Sequence, residues 1–189
     1  NRWVAGPDEL AVFFGVQALS GIFVKTLRVP ATARAYILQG GQATEVPQGE
    51  YEIEGFFSRL NHLLRDGHAE ILVTRTNALP VEFAFDDLET AEHLAVGAQF
   101  TVSLRIENVP VFARHFMTMP GTVTTAQLRE LLLPAVRQLA AEFVGSRSLR
   151  EMAHESALRG QFDERLQGAL RLLLADYGLG VVQVDTLAL

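Results

Sequence analysis

The densest grouping of side chains able to do chemistry is Asp86-Asp87-Leu88-Glu89, followed by Glu92-His93. Carboxylates and an imidazole so close in sequence are the material of a metal site or of a general acid and base. The run lacks the glycine and terminal glutamate of a calcium loop, and a solvated turn between two strands is the simpler reading. The same carboxylates also suit arginines of an adjacent copy of the chain. Asp86, Asp87, Glu89, Glu92 and His93 are therefore the candidate set for a ligand- or metal-binding α+β enzyme domain, the alternative to the reading reached below.

Other catalytic templates are incomplete. The five histidines, His62, His68, His93, His115 and His154, never fall at i, i+4 or in the zinc-protease arrangement. Gly178-Leu179-Gly180 follows a helical pattern, where a helix cap explains it better than a dinucleotide loop. There is no phosphate loop and no nucleophile elbow around a serine. With no cysteine, disulfides, thiolate metal sites and thiol redox chemistry are excluded. No catalytic residue, cofactor or metal ligand is assigned.

The formal charge of -6 argues against nucleic acid as a partner and against polybasic docking on a bilayer. All the basic residues but Lys25 are arginine, which suits bidentate pairing with carboxylates. No window reaches the roughly 18 uninterrupted apolar residues of a spanning helix. The closest, residues 10–24, contains Phe13, Phe14, Ile22 and Phe23 but is interrupted by Gly15, Gln17, Ser20 and Gly21. It reads as short strands or an ordered arm, with an interfacial membrane segment as the alternative. The chain opens at Asn1 rather than at a methionine, as a piece trimmed from a longer chain would.

The elements that must position these residues fall into a strand-rich first half and a helical second half. Residues 34–39 form a strand ending at Gly40-Gly41, and Pro47-Gln48-Gly49 makes a second turn before Tyr51 and Ile53. Residues 56–64 have helical spacing; 71–74 and Val81, Phe83 and Phe85 are strands. In residues 99–107, Phe100, Val102, Leu104 and Ile106 alternate with polar side chains, the mark of a half-buried antiparallel strand. Asn108 caps a helix with Pro110 in its first turn and Phe112 and Phe116 on its buried face, ended by Pro120-Gly121. A second helix opens at Thr124-Thr125-Ala126-Gln127 with the stripe Leu128, Leu132, Val136, Leu139 and Phe143, and Pro134 should kink or restart it. A capping box at Ser148–Glu151 leads to a last helix striped by Leu158, Phe162, Leu166, Leu170, Leu173 and Tyr177, with Glu155 and Arg159 paired on its wet side. Gly178 ends that helix, and Val181, Val182 and Val184 form a strand that must return to a sheet made earlier. The fold class is α+β: a largely antiparallel sheet with packed helices and a returning C-terminal strand, in one cooperative unit.

Several short motifs carry a resemblance. Gly40-Gly41 with Pro47-Gln48-Gly49-Glu50-Tyr51, Thr74-Arg75-Thr76-Asn77, Arg105-Ile106-Glu107-Asn108, and Tyr177-Gly178-Leu179-Gly180-Val181 with Val184 resemble turns and strand ends of the SPFH, or Band 7, superfamily of stomatins, prohibitins and flotillins. Asn77 stands where that family usually has aspartate, and Leu104 replaces an aromatic. The similarity covers residues 29–187, giving a domain 29–189 preceded by an arm or strands, residues 1–28. It implies a non-enzymatic module that self-associates side by side and organises membrane proteins or sits on a membrane surface, on the cytoplasmic side. Such domains usually continue into a long coiled coil. The expected subunit contacts are the charged helix exteriors: Arg147, Arg150, Glu155, Arg159, Asp163 and Arg165. A soluble, shell-forming assembly is the further alternative.

Overall fold

The computed structural model describes residues 6–15, 26–52, 70–117 and 121–189. The helix read over 56–64, Ile53, and the later part of the 10–24 window lie outside them. Two compact units emerge, one from residues 1–77 with 108–124, the other from 78–107 with 125–189.

In the first unit the strands are β1 (Glu9–Gly15), β2 (Thr26–Val29), β3 (Ala33–Gln39), β4 (Gln42–Val46), β5 (Gly49–Glu52), β6 (Glu70–Arg75) and β9 (Gly121–Thr124). Five of them form an antiparallel sheet in the order β4-β3-β6-β1-β9, while β2 pairs with β5. The β3–β4 turn takes Gly40 to φ 60° and Gly41 to φ 78°, the left-handed pair that a two-residue hairpin needs. β1, read as an arm or short strands, lies between β6 and β9, with Phe13 opposite Leu72. Leu10 to Phe13 in β1 and Ile71 to Thr74 in β6 are buried without a break, so both faces of these central strands are covered. The first helix, α1 (Val109–Phe116), is capped by Asn108 Oδ1, which accepts from the Val111 amide at 3.2 Å; Phe112 is fully buried.

The second unit contains β7 (Leu79–Glu89), β8 (Ala95–Ile106) and β10 (Leu179–Ala188), antiparallel in the order β10-β8-β7. The expected return of the last strand is real, but the strand it joins is β8, so it closes this unit alone. Burial along β8 alternates through Ala98, Phe100, Val102 and Leu104, as its sequence period requires. Helices α2 (Thr125–Gly145) and α4 (Leu158–Ala175) pack on β7 and β10 respectively and on each other, with the short α3 (Leu149–His154) between them in sequence. Phe100 joins the layers: its ring lies 5.6 Å from Phe83, 6.1 Å from Phe85 and 5.0 Å from Phe162. Burying an aromatic of this size is worth about 1.5–3 kcal/mol, so the cluster helps anchor the helices on the sheet beside their buried leucines.

Four details depart from the pattern reading. Pro134 does not restart its helix; it sits on the exposed face of a continuous α2, where the unpaired carbonyl one turn back can turn to water. The buried rows continue by fours to Ala140 and Leu174 rather than by threes to Leu139 and Leu173. Pro120-Gly121 does not simply end a helix: Gly121 begins β9, paired with β1. The Ser148 capping box is present, but it caps α3, and the last helix starts afresh at Leu158.

Candidate functional site

The acidic segment is set by an irregularity in β7. Between Phe85 and Leu88 two residues oppose the single Gly97, a β-bulge that leaves Asp86 and Asp87 both exposed. Glycine eases the close approach opposite, since a Cβ at Gly97 would lie 3.3 Å from the Phe85 carbonyl oxygen, a tight contact. Arg137 of α2 donates from Nη2 to Asp87 Oδ2 at 2.6 Å. That guanidinium holds the Asp87 carboxyl below its ordinary value, and its own pKa is raised in return.

The remaining acids go elsewhere. Glu89 Oε2 lies 3.3 Å from His93 Nδ1. Glu92 turns to the start of α3, where Oε2 accepts from the Leu149 amide at 2.9 Å and from Thr90 Oγ1 at 3.0 Å. Those two donors hold its carboxyl below the usual glutamate range, the Leu149 amide most strongly. The expected solvated turn is thus half right: Thr90 to Leu94 turn, while Asp86 to Glu89 still belong to the strand. Asp87, Glu89 and Glu92 thus turn to three different partners, and among the described residues no three His, Cys, Asp or Glu gather as metal ligands. His62 and His68 lie outside the described residues. His115 and His154 sit exposed on α1 and α3.

The six charged residues expected at a subunit contact divide. Arg150, Arg159 and Arg165 are exposed on α3 and α4, and Glu155 is exposed in the break between those helices. Helical spacing therefore does not apply to Glu155 and Arg159; Glu155 instead accepts from Gln161 Nε2 at 2.8 Å. Arg147 is used within its own unit, donating to the Phe143 carbonyl at 2.9 Å with its guanidinium 3.6 Å from the Phe143 ring centre. Asp163 faces β10, where it accepts from the Thr186 hydroxyl. Partial burial raises its pKa, nearby Asp185 adds to the rise, and the Thr186 hydroxyl and Arg159 oppose it. Arg137, the ion-pair partner of Asp87, was not singled out from sequence, and a partner 50 residues away leaves no local signal.

In the first unit a shallow cleft of about 240 Å³ lies between the β3–β4 turn and α1. Its titratable lining is confined to Glu70 and Arg114, which supplies no paired nucleophile and base. Gly178, at φ 72°, hands α4 over to β10 as a helix cap, so the Gly178-Leu179-Gly180 run has a structural explanation. No described helix is long and apolar enough to cross a membrane.

Residues 44–188 match the model of the SPFH domain / Band 7 family. No curated protein matches the chain.

Proposed function

Because the chain belongs to the SPFH domain / Band 7 family, whose members are generally non-enzymatic, membrane-associated scaffolds, we propose that it is a non-enzymatic assembly module that self-associates side by side and organises partner proteins at a membrane. The match over residues 44–188 carries this reading. It is supported by the separate commitments of the acidic side chains, which leave no convergent reactive centre among the described residues. The working surface is the charged exterior of α3 and α4, with Arg150, Glu155, Arg159 and Arg165 facing a sister molecule. Arg147 and Asp163 support that surface from behind. The module works on the cytoplasmic side, against the inner face of the membrane, and needs no cofactor.

Light scattering tests the self-association. Particles larger than one chain are expected, and Arg159→Glu combined with Arg165→Glu should reduce them to monomers while leaving the far-ultraviolet dichroism unchanged. A wild-type chain that stays monomeric at all concentrations overturns the assembly reading. Flotation with liposomes then separates a membrane scaffold, which rises with the vesicles, from a soluble shell component, which does not.

A further inference from the structure

The corner between α2 and α4, residues 146–157, contains no buried residue. α3 buries none of its six residues, and Leu149 at its start is 44% exposed. A helix this short does not persist in water unaided, because nucleation costs more than so few hydrogen bonds return. Part of its support is internal: Ser148 Oγ accepts from the Glu151 amide at 3.1 Å, and Glu151 Oε2 accepts from the Ser148 amide at 2.8 Å.

The rest comes from the β7–β8 turn. Ala91 donates its amide to the Arg147 carbonyl at 2.8 Å, just before the helix. Glu92 then reaches 57 positions along the chain to take the Leu149 amide on both oxygens, at 2.9 and 3.3 Å, while Thr90 Oγ1 fixes the carboxylate from behind. That amide is one of the first-turn donors with no partner inside the helix, and a carboxylate there also opposes the positive end of the helix dipole. Arg147 and the Gln161–Glu155 bond tether the two ends of the corner to α2 and α4. Between those tethers, Glu92 supplies the side-chain bond from another element to α3.

We propose that Glu92 is a latch: its carboxylate holds residues 148–155 against the rest of the second unit as a detachable strap, and removing it frees the strap while the α2–α4 core stays folded. The strap bears Arg150 and Glu155, so the latch also fixes how these charges are presented. That consequence rests on the assembly reading above; the latch itself does not.

Amide hydrogen exchange on the full chain decides it, whatever the state of association. The amides of Met152 and Glu155 close α3 on the carbonyls of Ser148 and Glu151. In Glu92→Ala they should exchange roughly tenfold faster than in the wild type, with the buried turns of α2 and α4 unchanged. Glu92→Gln, which keeps one acceptor oxygen but loses the charge, should fall between. Wild-type protection at Met152 and Glu155 in Glu92→Ala overturns the proposal. So does loss of protection in α2 and α4 in step with α3, or failure of both variants to fold, since Glu92 would then support the whole unit.

Discussion

The two units solve burial differently. In the first, β1 and β6 are covered on both faces, so four successive residues of each strand are hidden. In the second, β7 and β8 are covered on one face by α2 and α4, and every other residue meets water. A strand buried on both faces tolerates polar change nowhere along its centre, while one buried on one face is free at alternate positions. Charged side chains therefore accumulate in the second unit, and its wet helix exteriors have room to vary.

The largest effects test that contrast directly. Leu72→Asp and Val73→Asp point to opposite faces of β6, and each should cost more than about 3 kcal/mol, because an unpaired charge is buried either way. On β8 the neighbouring changes should part: Phe100→Asp equally severe, Gln99→Asp within about 0.5 kcal/mol. Urea titration of the four variants measures this, and a well-tolerated Val73→Asp would break the two-faced description of β6.

A middle-sized effect sharpens the role of the helix-to-strand handover. Gly178→Ala forces a side chain into φ 72° and should cost about 1–2 kcal/mol. Gly180→Ala should cost less despite a Cβ placed 2.2 Å from the Glu107 carboxylate carbon, since that exposed side chain can swing away from Arg105. Equal thermal shifts for the two would show that space, not backbone conformation, selects both glycines.

The smallest effect concerns the half-buried polar contact between α4 and β10. The Asp163 pKa is raised on folding, so the folded state holds its proton more tightly, and stability falls as pH rises from the ordinary aspartate range through the raised value. Asp163→Asn keeps an oxygen for Thr186 and removes the charge. A slightly higher melting temperature at pH 7, with no gain at pH 3, is expected; a lower one at pH 7 would show that Arg159 outweighs burial.

Legibility followed the same division. β8 could be read directly because its apolar residues alternate, and its wet face is written in Gln99, Thr101, Ser103 and Arg105. β1 could not be placed, since an unbroken apolar run has no period and suits an arm as well as a central strand. The β-branched Thr122-Val123-Thr124 was the available signal for β9, hidden by a proline-glycine stop before it and a capping threonine after it. The helix rows were right until their last turns: Leu139 is larger than the Ala140 that is buried, and Leu173 has an equal leucine beside it at 174, yet in both helices the i+4 rows prevailed. The capping box was legible, but not that it starts a helix of one and a half turns. The candidate site was least visible, because Asp87 meets Arg137 and Glu92 meets Leu149 across long stretches of chain that only the fold brings together.

The interleaving of the two units along the chain sets a timetable for synthesis. The β7–β8 hairpin emerges from the ribosome before β9 has completed the earlier sheet, yet the strand that flanks β8 on its other side is made only after α2 and α4. At translation speeds of about 5–20 residues per second, the aromatic side of that hairpin waits for several seconds with Phe83, Phe85 and Phe100 uncovered. For that interval the nascent protein is a natural client for chaperones, and slowing the ribosome after Ile106 should raise the share of chains lost to aggregation.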